Sequence, residues 1–75
     1  MAQIIFSKED FTKNNEKEYQ LEYNVNEIGE GSDLIVERLT EKGDYETIQA
    51  PLRRSNDKVF IIWDSPFNGR ILFDL

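Results

Sequence analysis

Apolar and polar residues alternate with a period of two along much of this chain. The clearest case is the segment 19–26, YQLEYNVN, in which every second residue from Tyr19 onward is apolar. Successive side chains of a strand point to opposite faces, so this pattern predicts a strand with one buried face. We expect the strand to run on toward Ile28, before the glycines and small polar residues of 29–33 turn the chain.

A second strand is expected at 34–39, followed by a hairpin loop at 40–44. The loop sequence TEKGD fits a type I turn in which Gly43 takes the left-handed conformation and forms a bulge. This loop would set the register of the returning strand. The predicted pairs are Arg38 with Glu46, Val36 with Ile48 and Leu34 with Ala50 on the core face, and Leu39 with Tyr45 and Glu37 with Thr47 on the other.

The second half of the chain changes in character after Pro51, which cannot donate a hydrogen bond to a sheet and should end a strand. Residues 52–58 are expected to form a polar loop. The run 59–63, VFIIW, has no polar alternation and predicts a strand covered on both faces. The dipeptide Asn68-Gly69 predicts a hairpin that leads into a last strand at 70–75.

The N-terminal part should contain a first strand at residues 2–6 and one short helical turn near residues 8–13. Ser7 followed by Asp10 resembles the start of a capping box. These elements predict an all-β fold of five to six antiparallel strands joined by hairpins, closed as a small barrel or folded as a compact sandwich. The chain has 75 residues, so a single domain over residues 1–75 is expected.

Composition argues against catalysis. The chain contains no histidine and no cysteine, which removes the commonest general base and the two commonest transition-metal ligands. We therefore expect no enzyme, no catalytic residue, no cofactor and no metal site. Glu27, Glu30 and Asp33 could offer oxygens to a calcium ion, but their spacing is not that of an EF-hand and an acidic turn explains these residues.

The net charge of −6 is concentrated in one segment, residues 22–46. Basic residues there are only Arg38 and Lys42. A charge block of one sign is either a recognition surface or an aid to solubility. Its acidic members are Glu22, Glu27, Glu30, Asp33, Glu37, Glu41, Asp44 and Glu46.

Aromatic and basic residues outside the core are the candidates for binding a partner. Tyr45 is expected on the face opposite the core, and Trp63 and Phe67 lie near a proline-containing turn, where aromatic residues often anchor interfaces. Phe67 has an alternative role as a cap on the core. Arg53 and Arg54 form the local basic spot that an acidic partner would contact.

These features favour a small acidic, non-catalytic protein-interaction module, an adaptor or inhibitor that occupies a partner protein's surface. Two alternatives stay open: a nucleic-acid-mimicking inhibitor of a nucleic-acid-binding protein, of the kind that phages and mobile elements carry, and a structural self-assembling subunit. Direct nucleic-acid binding is not expected, because clustered basic residues are scarce. No signal peptide or membrane span is apparent, so a cytoplasmic protein is expected, and the apolar strands suggest a homodimer.

Overall fold

The computed structural model describes residues 2–14, 16–29 and 33–74, and it confirms the all-β fold with antiparallel strands. Eight strands are present in this part of the chain. Six of them correspond to strands predicted from the sequence, and the other two are short strands at sheet edges. The elements are β1 (Ala2–Phe6), a 3-10 helix (Lys8–Asp10), β2 (Thr12–Lys13), β3 (Tyr19–Asn24), α1 (Val25–Ile28), β4 (Ile35–Leu39), β5 (Tyr45–Ile48), β6 (Leu52–Ser55), β7 (Lys58–Trp63) and β8 (Gly69–Phe73).

The strands form two four-stranded sheets. Sheet A has the order β1-β8-β4-β5, and sheet B has the order β2-β3-β7-β6. Hairpins within a sheet join β2 to β3, β4 to β5, and β6 to β7, whereas the connections between β1 and β2, β3 and β4, β5 and β6, and β7 and β8 pass from one sheet to the other. Of the two predicted architectures, the structure therefore adopts the sandwich.

The core is apolar and draws on both sheets. Ile61 of sheet B and Ile71 of sheet A are completely buried, and no polar or charged residue is buried in the described ranges. Aromatic and branched side chains supply most of the apolar area, which drives folding at about 25 cal/mol per Å². The core cluster contains Phe6, Phe11, Leu21, Ile28, Val36, Val59, Ile61, Phe67, Ile71 and Phe73.

The β4–β5 hairpin has the predicted register. Arg38 pairs with Glu46, and Val36 pairs with Ile48 on the core face. Gly43 adopts a φ of 88°, and the Thr40 N–H donates to the Asp44 carbonyl at 2.7 Å to close the loop. The predicted pairs Leu39 with Tyr45 and Glu37 with Thr47 are also present. The predicted pair Leu34 with Ala50 is absent, because β4 begins at Ile35 and β5 ends at Ile48.

The strand predicted to run toward Ile28 ends at Asn24 instead, and a short helix follows. The Asn24 N–H and side-chain amide both donate to the Glu27 carboxylate at 3.1 Å, which stabilises the first turn of α1. Ile28 is 2% exposed and packs into the core, and Gly29 leaves the helix at a φ of 77°. The alternating pattern was correct for β3, but the apolar residues at 25 and 28 have the spacing of a helical turn.

The prediction of a polar loop at 52–58 is wrong, because β6 and β7 form a tight hairpin there. Ser55 pairs with Lys58, so the connection is only Asn56 and Asp57, with Asn56 at a φ of 59°. All four residues of β6 are exposed, which removes the apolar alternation that normally marks a strand.

The hairpin predicted at Asn68-Gly69 is also wrong, because β7 belongs to sheet B and β8 to sheet A. Gly69 is buried, and its φ is not in the left-handed region. It pairs with Phe6 on one side and Arg38 on the other. A Cβ atom at Gly69 would collide with the carbonyl oxygen of Glu37, so packing rather than a turn requires this glycine.

The short helical turn expected near residues 8–13 is a 3-10 helix at Lys8–Asp10, and β2 then follows. The Ser7 N–H donates to the Asp10 carboxylate at 2.9 Å, as in half of a capping box. Phe11 is 9% exposed and inserts into the core. The strand predicted at the N-terminus is present as β1, Ala2–Phe6.

Candidate protein-interaction site

Four aromatic rings pack together at one end of the core. Phe67 lies between Phe6, Phe11 and Trp63, with ring centroids 5.4, 5.1 and 5.9 Å away, respectively. It is only 8% exposed, so the core-capping role is the one that the structure shows. Phe67 offers little surface to a partner, but it supports Trp63 edge to face, in the arrangement that aromatic pairs prefer.

Trp63 is half-buried and lines a surface groove of about 300 Å³, which we call the Trp63 groove. Its walls are mainly apolar, and its rim carries charges of both signs. Ile62 is 4% exposed, and its N–H donates to the Pro51 carbonyl at 2.9 Å, which fixes Pro51 beside β7 as a continuation of the β6–β7 pairing. The groove is lined by Lys17, Glu18, Pro51, Ile62, Trp63 and Asp64.

The rim of the groove is held by the loop between β2 and β3. The Asn14 side-chain oxygen accepts hydrogen bonds from the N–H groups of Glu16 and Glu18 at 2.9 and 3.0 Å. The Asn14 N–H in turn donates to the Glu18 carbonyl at 2.8 Å. Lys17 adopts a φ of 64°, a conformation that only a well-determined turn imposes on a non-glycine residue. The groove therefore has a preformed wall.

Tyr45 lies on the outer face of sheet A, as the alternation of side chains along β5 predicts, whereas Trp63 belongs to sheet B. The Arg70 guanidinium carbon is 4.0 Å from the centroid of the Tyr45 ring, a cation–π distance. The Arg70 Nε also donates to the Glu37 carboxylate at 2.5 Å, and another guanidinium nitrogen donates to Gln3 at 3.2 Å. Tyr45 and Trp63 are therefore on different sheets and do not form one site.

Arg53 and Arg54 are neighbours on β6, so their side chains point to opposite faces of sheet B. Arg53 lies within 3.7 Å of Glu16 and 4.0 Å of Glu18, contacts that are partly exposed and so contribute little. Arg54 is exposed and is also engaged with other groups. The two arginines do not form a single basic patch.

The acidic segment is spread over both sheets. Glu22, Glu37 and Glu46 each form an ion pair with a base, at 2.6, 2.5 and 2.5 Å. Glu27 is engaged at the start of α1. Exposed positions in turns are occupied by Asp33, Glu41 and Asp44, and Glu30 lies outside the described residues. The bases of the three ion pairs are Lys58, Arg70 and Arg38.

Among the described residues, two titrating groups have clearly shifted pKa values, and neither is suited to acid–base catalysis at neutral pH. Burial, with Asp10 and Glu27 nearby, raises the pKa of the Tyr23 hydroxyl to about 12. The hydrogen bond to Glu22 raises the pKa of the Lys58 ammonium group. Across residues 2–14, 16–29 and 33–74, no three side chains of the kinds that hold metal ions come together.

Sequence reasoning missed several residues that define these surfaces. The sequence predicts Pro51 only as the end of a strand and Ile62 only as one residue of the uninterrupted apolar run 59–63, although both line the Trp63 groove. Arg70 was not considered, because its contact with Tyr45 depends on β8 pairing with β4. No signal in the sequence places Pro51 beside Ile62 and Trp63, because that contact depends on the pairing of β6 with β7.

The chain was compared with protein-family models, curated proteins and solved structures, and none of them matches it. The helices in the described part of the chain are all too short to cross a membrane. The assignment of a function therefore depends on the geometry of the surfaces described above.

Proposed function

We propose that this chain is a non-catalytic protein-interaction module that binds another protein through the Trp63 groove. The observation that carries the proposal is a half-buried tryptophan that is supported from below by Phe67 and opens into an apolar groove with a charged rim. Tryptophan is among the residues most enriched at the energetic centres of protein interfaces. An adaptor or an inhibitor acting by occupation of a surface would use such a site.

The size of the groove favours a side chain of a protein over a small metabolite. Small-molecule sites span about 300 to 1,000 Å³, and this groove, at about 300 Å³, is at the lower limit. One large apolar side chain of a partner would fill it. The Trp63 ring is already held against Phe67, so little side-chain freedom would be lost on binding.

The rim of the groove predicts modest sensitivity to salt. Lys17 contributes a positive charge, and Glu18 and Asp64 contribute negative charges, so the site has no strong field of one sign. Rim charges tune the association rate more than the affinity. The proposal places the module in the cytoplasm, in keeping with a sequence that has no cysteine and so needs no oxidising compartment.

Nucleic-acid mimicry has less support. A mimic needs unpaired acids on one surface, and Glu22, Glu37 and Glu46 are each paired with a base and belong to two different sheets. Binding by a mimic would also fall steeply with added salt. That difference separates the two functions in a single experiment.

The test uses two lysine substitutions at exposed positions. Pro51→Lys places a long charged side chain in the groove, and Leu39→Lys makes the same kind of change on the outer face of sheet A, away from the groove. Proteins bound by the wild-type chain in lysate are identified in about 0.1 M and about 0.5 M salt, a range over which phosphate-like electrostatic binding collapses. We expect the specific partner to survive high salt, to be lost with Pro51→Lys and to be retained with Leu39→Lys.

A photo-crosslinking residue at Asp64, on the rim, gives an independent readout. It should join the chain to the same partner, whereas the same residue at Lys42, in the β4–β5 loop, should not. Trp63 is the sole tryptophan, so its fluorescence reports directly on binding of the isolated partner. A partner that is released by salt and by charge reversal at Glu41 and Asp44, yet is insensitive to Pro51→Lys, would overturn the proposal in favour of mimicry.

A further inference from the structure

The two sheets have four edge strands, and three of them carry features that discourage pairing with another chain. Sheet A is bordered by β1 and β5, and sheet B by β2 and β6. An edge strand presents a row of unpaired backbone groups, and proteins protect it by short length, charge, proline or inward-pointing charged residues. The four edges therefore can be compared by the same criteria.

The protected edges use different devices. β2 is only Thr12–Lys13. β5 carries Glu46 on its core-facing side. β6 carries Arg53 and Arg54 and follows directly on Pro51. Each of these edges is thus too short or too charged to accept a second strand readily.

β1 has none of these devices. It runs for five residues with the sequence AQIIF, which contains no charge and no proline. Ile5 points to the outer face and is 66% exposed, more than the exposed leucines Leu39 and Leu52 at 38% and 41%. Among the described residues, β8 is the only strand that pairs with β1. Long, uncharged, apolar edges are the kind that accept another strand.

We propose that β1 pairs in antiparallel fashion with β1 of a second copy of this chain, which joins two copies of sheet A into one continuous eight-stranded sheet. A strand can pair with itself about a two-fold axis, as a C2 interface requires. An axis through Ile4, for example, places Gln3 of each copy opposite Ile5 of the other. The pairing would cover part of Ile5. It would also place side chains of the second copy beside the half-buried inner residues Ala2 and Ile4.

Charge favours a second copy as the occupant of this edge. The whole chain has a net charge of −6, so most surfaces of two copies repel each other, but β1 is neutral. Arg70 is the cross-strand neighbour of Ile5, and its positive charge is already paired with Glu37. Two copies can therefore meet along β1 without bringing like charges together. This interface lies on sheet A and does not depend on the Trp63 groove of sheet B.

The expected dimer is weak. Specific interfaces bury about 800 Å² on each partner, and one pair of five-residue strands buries less, so we expect dissociation at roughly tens to hundreds of micromolar. Sedimentation equilibrium between about 5 μM and about 1 mM spans that range. Amide hydrogen exchange at the same concentrations locates the contact, because pairing protects the N–H groups of β1 that face away from β8.

The decisive variants are Ile5→Lys and Leu39→Lys. Both residues are exposed on the outer face of sheet A, but Ile5 is on the edge strand and Leu39 is on the interior strand β4. We expect Ile5→Lys to abolish dimerisation and to remove the concentration-dependent protection of β1, with the fold intact by circular dichroism. Leu39→Lys should leave both unchanged.

Three results would overturn the proposal. The first is a wild-type chain that stays monomeric at 1 mM, and the second is a dimer in which β1 gains no protection. The third is an equal loss of dimer in both variants, which would show that the outer faces of sheet A stack instead of the edges pairing.

Discussion

Two chain reversals in this molecule look alike in sequence and differ in structure. In the segment 40–44, Gly43 closes a hairpin within sheet A, whereas in the segment 64–69, Gly69 begins β8 after the chain has crossed from sheet B. Gly43 has a φ of 88° and nothing within 4 Å of the place where a Cβ would lie. Gly69 has no left-handed φ, and its Cβ would lie 3.0 Å from the Phe6 ring and against the Glu37 carbonyl.

The difference shows that a glycine can be required either by the backbone conformation or by close packing. Gly43 meets a local need, because the turn requires a backbone conformation that other residues resist. Gly69 meets a packing need, because two neighbouring strands approach it with no space for a side chain. Sequence patterns report the first need and are silent about the second.

The largest expected effect is that of Gly69→Ala. The added methyl group meets a backbone carbonyl in the middle of sheet A, which cannot move without disturbing the pairing of β8 with β4. Overpacking in a core costs about 1 to 3 kcal/mol, and a collision with backbone belongs at or above the upper end, about 3 kcal/mol. Urea unfolding followed by circular dichroism and Trp63 fluorescence measures this loss.

Gly69→Asn provides the control for this prediction. Asparagine tolerates left-handed conformations, so it would rescue the position if Gly69 served a turn. We expect Gly69→Asn to be at least as destabilising as Gly69→Ala. A free energy of unfolding within a few tenths of a kcal/mol of the wild type for either variant would show that the packing explanation is wrong.

The matching change in the hairpin, Gly43→Ala, should have a smaller effect. An L-residue in the left-handed region costs about 1 to 2 kcal/mol, and the open space around Gly43 adds no collision. Gly43→Asn should recover at least half of that loss, because asparagine is tolerated at this conformation. The same unfolding measurement applies. An Asn variant as unstable as the Ala variant would contradict the conformational explanation.

Much of the fold followed from local rules. The period-two pattern located β3, and the run 34–39 located β4. The TEKGD loop set the register of Arg38 with Glu46, which the structure confirms with an ion pair at 2.5 Å. The interior position of β7 followed from its uninterrupted apolar run. These features depend on residues close together in sequence, where turn chemistry and side-chain alternation determine the outcome.

The features that were not predicted depend on long-range pairing. β6 has exposed residues on both faces, so only its pairing with β7 in the structure identifies it as a strand. The sequence left Phe67 open between a core cap and an interface residue, because its burial depends on packing against Phe6 and Phe11, which lie about sixty residues earlier in the chain. The Trp63 groove likewise joins three separate loops and strands, and no local pattern places Pro51 beside Ile62.

The smallest expected change in the free energy of unfolding comes from replacing an asparagine, Asn56 or Asn68, by glycine. Asn56 lies in the true two-residue hairpin at a φ of 59°, whereas the Asn68 side-chain oxygen accepts a hydrogen bond from the Lys8 N–H at 2.9 Å. Asn56→Gly should therefore change the unfolding free energy by only a few tenths of a kcal/mol, because glycine adopts that φ readily. Asn68→Gly should cost about 0.5 to 1.5 kcal/mol, because the Lys8 N–H loses its acceptor. If residue 68 belonged to a hairpin turn, the two glycine variants would instead be equally stable, and a matched pair of urea titrations distinguishes the cases.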